Sequence, residues 1–137
     1  MKRLVWLLVL LPLLLTGCLL PPGVHISVGG GANYYDAPTR TIALASNQPV
    51  AIQAHEACHA HQHEMVLEKN PTSDNLWLYF GTSEGMAFLA LRNQAPSEGA
   101  LEDAAWVCAY YFTDPSRLTP DALAWAEEWL GNSSPGA

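Results

Sequence analysis

The stretch His55-Glu56-Ala57-Cys58-His59 decides how the chain is read. Its flanks ask for a helix. Asn47 can cap the N-terminus, Pro49 suits the first turn, and Val50 to Ala54 is a compact apolar run. Lys69 favours the negative pole of the helix dipole and Asn70-Pro71 stops the element, so the expected helix runs from about Gln48 to Lys69. On such a helix, residues four apart share a face and lie about 6 Å apart along the axis. Two imidazoles so placed can grip one zinc ion, and Glu56 projects beside the metal as a base for water. A polar helix face that happens to carry two histidines is the alternative. It gives no reason for His55, Glu56 and His59 to cluster in a chain with so few charges.

On the N-terminal side, Val24-His25-Ile26-Ser27-Val28 alternates like a strand and Gly29-Gly30-Gly31 breaks it. Arg40 to Leu44 alternates again, and Asp36-Ala37-Pro38-Thr39 can close a hairpin between this strand and one containing Tyr34-Tyr35. The expected sheet is small and antiparallel, with two or three strands. On the C-terminal side the chain reads as helical. Thr72 or Ser73 can cap Asn75 to Phe80, Thr82 or Ser83 can cap Glu84 to Asn93, and Pro96-Ser97 opens Glu98 to Phe112. Thr119-Pro120-Asp121 opens a last helix through Leu130, and Gly131 stops it. Trp77, Trp106, Trp125 and Trp129 are expected to fill the core. The fold class that follows is α+β, a small antiparallel sheet followed by a helical bundle.

The first residues belong to a different physical regime. Lys2 and Arg3 precede an apolar run from Leu4 to Leu15, too short and wrongly flanked for a stable membrane span. The run ends in Leu15-Thr16-Gly17-Cys18, which resembles the bacterial lipobox. That resemblance implies a signal peptide over 1–17, cleavage before Cys18 and a lipid on Cys18. Pro21-Pro22 then suit a tether over 18–23, followed by a folded domain over 24–131 and a loose tail over 132–137. It places the mature chain outside the cytoplasm, anchored by its lipid to a bacterial membrane, on its periplasmic or outer-membrane face. Without Lys2 and Arg3, four basic residues (Arg40, Lys69, Arg92, Arg117) face thirteen acidic ones, so the net charge moves from −7 to −9. An acidic surface argues against nucleic acid and against charge-driven binding to anionic lipid. With Cys18 lipidated, Cys58 and Cys108 remain, and in an oxidising compartment the pair is expected to form a disulfide. Two buried free thiols are the alternative.

A catalytic zinc site usually has three protein ligands and an open position. His63 would lie about 12 Å from His55 along the helix axis, too far for one ion. His61 faces away from His59 by about 200°, and His25 stands alone on a strand as a surface residue. The combination of His55-Glu56-Ala57-Cys58-His59 with Trp77-Leu78 and Glu84-Gly85-Met86-Ala87-Phe88 resembles the gluzincin metallopeptidases. That resemblance implies a minimal zincin-like fold, a zinc ion held by His55, His59 and Glu84, Glu56 as general base, and a peptide or protein substrate. It also implies that Arg40 to Leu44 is an edge strand beside the cleft. A metzincin would need a histidine at position 65, where Met65 stands. A Tyr or His donor would help stabilise the oxyanion. Tyr79, Tyr110 and Tyr111 are candidates, with core packing the default role of each, and Glu102 or Asp103 could orient a zinc histidine, with a solvated helix face as the default. The function expected is a lipid-anchored zinc metallopeptidase. The alternative is a lipoprotein in which zinc is carried or is only structural, and the dense run His55, His59, His61, His63 speaks for it.

The lipobox match yields a direct test. Cys18→Ser should leave the chain unlipidated and release it from the membrane fraction. Mass spectrometry that finds an unmodified Cys18 in the wild type would overturn the assignment.

Overall fold

The computed structural model describes residues 20–46 and 48–131. The expected signal peptide over 1–17, Cys18, the expected cap Asn47 and residues 132–137 lie outside the described residues. The described chain is α+β, with strands β1 (His25–Gly30), β2 (Tyr34–Asp36) and β3 (Thr41–Ala45) before helix α1 (Val50–Lys69). A 3₁₀ helix (Leu76–Gly81) leads into α2 (Ser83–Arg92), α3 (Glu98–Thr113) and α4 (Pro120–Trp129). Among the described residues no helix is long and apolar enough to cross a membrane.

The sheet is mixed rather than antiparallel, with strand order β1-β3-β2. The chain reverses between β1 and β2 and again between β2 and β3, so β3 runs in the direction of β1. With β3 in the centre, its ladder to β1 is parallel and its ladder to β2 is antiparallel. Gly29, at φ +110°, sits at the bulge where the β1–β3 register shifts, a conformation that favours glycine. Residues 37–40 close the β2–β3 hairpin where the sequence pattern places it. The strand over Arg40 to Leu44 is therefore central, and β2 is the edge.

Period-two alternation on β3 turns Ile42 and Leu44 inward onto Ala57 and Ala60 of α1. The opposite side of α1 packs on α3 through Ala54, Cys58 and Val66, in a core with Phe88, Ala105, Cys108 and Trp125. Helix α1 is thus enclosed on two sides, and residues Gln53 to Ala60 are all buried, polar and apolar alike. A helix buried all round needs no apolar stripe. Small residues let the sheet and α3 approach it closely. A disulfide joins Cys58 to Cys108, with Cα atoms 6.0 Å apart and a sequence separation of 50. Loop closure of that length contributes about 4 kcal/mol in the chain-entropy account.

Caps fix the later helices. The Thr82 side chain accepts from Gly85 N–H at the start of α2, Ser97 accepts from Ala100 N–H at the start of α3, and left-handed Asn93 closes α2. Trp125 packs edge-on against Phe88 in the core as expected. Trp77 does not, because the tight 3₁₀ turn directs Tyr79 and Phe80 inward and leaves Trp77 50% exposed.

Gly85 marks the closest approach in the helical layer. A Cβ there would overlap the Tyr79 carbonyl oxygen, which is backbone and cannot swing away. Gly99, in the first turn of α3, has only Ser97 Oγ nearby, at 3.9 Å. Gly85→Ala should therefore cost about 1–3 kcal/mol, a fall in Tm on the order of 5–20 °C for a domain of this size. Gly99→Ala should stabilise by up to about 1 kcal/mol. Thermal melts of the two variants check the contrast, and a neutral Gly85→Ala would refute the close approach.

Candidate metal centre

Helix α1 places His55 and His59 one turn apart with their Nε2 atoms 3.1 Å from each other. Glu102 of α3 reaches both, with Oε2 2.8 Å from His55 Nε2 and Oε1 3.0 Å from His59 Nε2. One ligand atom from each of the three residues lies within 4.8 Å of the others, so the group can hold a metal ion. Both histidines are buried, while Glu102 opens to the surface.

The support around the ligands is uneven. His59 Nδ1 donates to Gln62 Oε1 (2.9 Å), and Gln62 Nε2 donates to the Leu101 carbonyl (3.0 Å). The Leu101 carbonyl can only accept, so the Gln62 amide nitrogen faces it and the amide oxygen faces His59. That assignment places the proton of neutral His59 on Nδ1 and the lone pair on Nε2, toward His55 and Glu102. Gln62 also ties His59 to the residue before Glu102, so one side chain sets both ligands. His55 is held differently. Its ring lies 4.1 Å from the Trp106 ring, and its buried Nδ1 has no hydrogen-bond partner. Trp106 stacks in turn on Tyr110, over which the Arg117 guanidinium sits at 4.5 Å.

The electrostatics describe a site that demands a cation. The hydrogen bond from His59, aided by the charges of both histidines, lowers the Glu102 pKa to about 2 against the opposing effect of burial. Burial is the largest influence on His59 and pulls its pKa down. The hydrogen bond and charge of Glu102 outweigh it, and the net shift is upward. His55 is lowered by burial and by His59. Two imidazole nitrogens and a carboxylate converge on one point. Either a proton or a metal ion there relieves the repulsion between their lone pairs.

Glu56 is 6% exposed, lines the cleft beside the histidines, and has no hydrogen bond or ion pair among the described residues. Burial pushes its carboxyl pKa up, and the Glu102 charge adds to the rise against the effect of His59. The cleft has a volume of about 540 Å³. One wall is β2 and the residue before it (Asn33, Tyr34, Tyr35), the other is α3, and the segment Asp74 to Trp77 forms its rim. The edge strand at the cleft is therefore β2, not the strand over Arg40 to Leu44.

Glu84 is not brought to the histidine pair. It is 2% exposed and accepts from the Tyr79 hydroxyl (2.9 Å) and from His61 Nε2 (3.0 Å). His61 leaves α1 on the side away from His59, and the close approach at Gly85 docks the start of α2 there. The Glu-Gly-Met-Ala segment thus anchors α2. Its Glu84 charge, together with deep burial, pushes the Tyr79 pKa well above its usual value. His63 also serves the fold. Its Nε2 donates to the Ser73 carbonyl (2.7 Å) and its Nδ1 accepts from the Tyr35 hydroxyl (2.8 Å). His25 is exposed on β1, and Asp103 pairs with Arg92 at 3.1 Å. Tyr79, Tyr110 and Tyr111 do not line the cleft, whereas Tyr34 and Tyr35 do.

A signal for Glu102 was present in the cysteines. A Cys58–Cys108 bridge sets α3 against the motif helix, and Glu102 stands six residues before Cys108. No family model matches the chain, and neither characterised proteins nor solved structures yielded a match.

Matched isosteric variants distinguish the two glutamates. Glu102→Gln should bind a divalent ion at least about 100-fold more weakly, since changes just outside the ligand shell already cost about 10–100-fold. Glu84→Gln should keep its metal and melt at a lower temperature, because the charge that faces His61 is gone. Metal analysis after dialysis, with calorimetric titration, reads both. Metal retained in Glu102→Gln and lost in Glu84→Gln would restore Glu84 as the ligand.

Proposed function

We propose that the protein is a zinc metallopeptidase, anchored outside the cytoplasm by a lipid on Cys18, with His55, His59 and Glu102 as metal ligands and Glu56 as general base. The observation that carries this is a buried, unpaired Glu56 beside two histidines and a carboxylate that converge on one point at a cleft. Two imidazoles and one carboxylate are a donor set that suits zinc with a position left open. A bound zinc ion would supply Lewis acidity, polarising a carbonyl and lowering the pKa of a water to about 7.

The rest of the chemistry belongs to the chain. Glu56 accepts a proton from the attacking water and returns it to the leaving amine. Its burial raises the basicity of the carboxylate, which suits that task near neutral pH. Gln62 holds the His59 ring in the tautomer with a free Nε2, and Trp106 fixes the His55 plane. The cleft wall at β2 exposes backbone at a sheet edge, a surface that an extended peptide can pair with. This reading keeps the motif chemistry of the gluzincin resemblance and moves the third ligand from the Glu84 segment to α3.

The rival reading, a zinc carrier or a structural zinc lipoprotein, drew on the run of histidines. His61 and His63 are spent on Glu84, Tyr35 and Ser73, so the surplus it relied on is used by the fold. Nor does a storage site need a buried base at position 56.

Glu56→Gln separates these readings. The variant keeps the shape and the proposed ligands but cannot accept the proton. It should retain full zinc and lose about 10²–10⁴ in rate on a mixed peptide library. Equal cleavage by both proteins would remove Glu56 as the base. A zinc-loaded wild type that cleaves nothing would favour the carrier.

A further inference from the structure

The cleft beside Glu56 is anionic and aromatic at once. Glu56, Asp74, Glu98 and Glu102 line it, and no lysine or arginine does. Asp74 and Glu98 are exposed and form no ion pair among the described residues. The four basic side chains of the folded domain are engaged elsewhere. Arg40 pairs with Glu64, Arg92 with Asp103, Lys69 donates to the Gly81 carbonyl, and Arg117 covers Tyr110. The charge of the cleft is therefore left for whatever enters it. A divalent ion at the histidines would offset only half of the four carboxylates.

Two further observations point to the kind of ligand. Tyr34 and Trp77 line the same cleft and are 53% and 50% exposed, whereas Tyr79, Phe80, Phe88 and Trp125 are buried. Exposed aromatic faces beside carboxylates form a favourable setting for a cation, which gains from the ring quadrupole as well as from the charges. Glu56, nine-tenths buried and with no hydrogen bond or ion pair among the described residues, lines this same cleft.

We infer that the cleft selects peptides that carry lysine or arginine beside the scissile bond and disfavours acidic ones. The inference rests on the peptidase reading for the identity of the ligand, and it adds the substrate class. Long-range attraction should favour a basic peptide before contact, and the aromatic walls should hold its side chain once bound. The preference is electrostatic in origin and must weaken as salt screens it.

The test reads binding apart from turnover. Three labelled peptides that differ only in a central Lys-Lys, Gln-Gln or Glu-Glu pair are titrated against the zinc-loaded Glu56→Gln chain by fluorescence anisotropy. The lysine peptide should bind about 10-fold more tightly than the glutamine peptide in about 20 mM salt, with the glutamate peptide weakest, and the gap should shrink in about 0.5 M salt. Asp74→Asn with Glu98→Gln should reduce the gap to about 2-fold, and Trp77→Ala should weaken the lysine peptide about 3-fold. Equal affinities at low salt, a preference for the glutamate peptide, or no binding of any of the three would overturn the inference. The wild type supplies the second arm. Equal kcat/KM for all three peptides sinks the charge preference and leaves the peptidase standing, whereas preferential binding of the lysine peptide without cleavage sinks the peptidase and leaves the preference standing.

Discussion

The enclosure of α1 between β3 and α3 is the constraint on which the other features depend. Ile42 and Leu44 press on Ala57 and Ala60 from one side, and α3 presses from the other, locked by Cys58–Cys108. A helix so enclosed has little surface left for water. Its polar residues must find partners inside the protein or face an opening to solvent. His61 finds Glu84, His63 finds Tyr35 and Ser73, and Gln62 bridges His59 to Leu101. His55, Glu56 and His59 face the opening. The site therefore exists because the packing leaves a gap on one side of a buried helix, and His55, Glu56 and His59 line that gap.

Much of this was legible in the sequence. The α1 helix lies within two residues of its expected start and at its expected end, although Pro49 stands at the N-cap with no side-chain cap, because breaking signals are local. The caps at Thr82 and Ser97 and the β2–β3 hairpin follow from equally local chemistry. Two features were hidden because they are set by partners distant in sequence. The first is the sheet. Its three strands were visible, but the insertion of β3 between β1 and β2 turns one ladder parallel, and no periodicity within a strand encodes its neighbour. The second is the third acid. Glu84 carried the stronger local pattern, with a cap, a glycine and an amphipathic continuation. That pattern describes how α2 docks on Tyr79, which is why it is so well formed. Glu102 has no local signature. Its place beside His59 depends on the register between two helices. The sequence allowed Glu102 or Asp103 to orient a zinc histidine, and the cysteine pair set α3 against the motif helix.

The two histidines of the centre are held by different physical means. His59 sits in a hydrogen-bonded chain that runs through Gln62 to the α3 backbone, so its position responds to any slip between α1 and α3. His55 is braced by the face of Trp106, itself part of a stack that ends under Arg117. Hydrogen bonds fix direction and tautomer, while stacking fixes a plane and tolerates rotation within it. One imidazole is thereby oriented through its far nitrogen by a hydrogen bond, and the other by the face of a neighbouring ring, while both reach Glu102 through Nε2.

The bridge between Cys58 and Cys108 also has a topological result. It makes a covalent ring of the second half of α1, the 3₁₀ helix, α2 and most of α3, with His59 and Glu102 inside the ring and His55 outside it. The exposed connection between α2 and α3, residues 93–97, lies within that ring. A single cut there divides the polypeptide but releases no piece, because the two parts stay linked through sulfur. All three converging side chains remain on one covalent body after such a cut. In a compartment where proteases attack exposed loops, a nicked chain keeps its centre for as long as the sulfur bridge stays oxidised. Reduction would then separate the donors of α1 from the donor of α3.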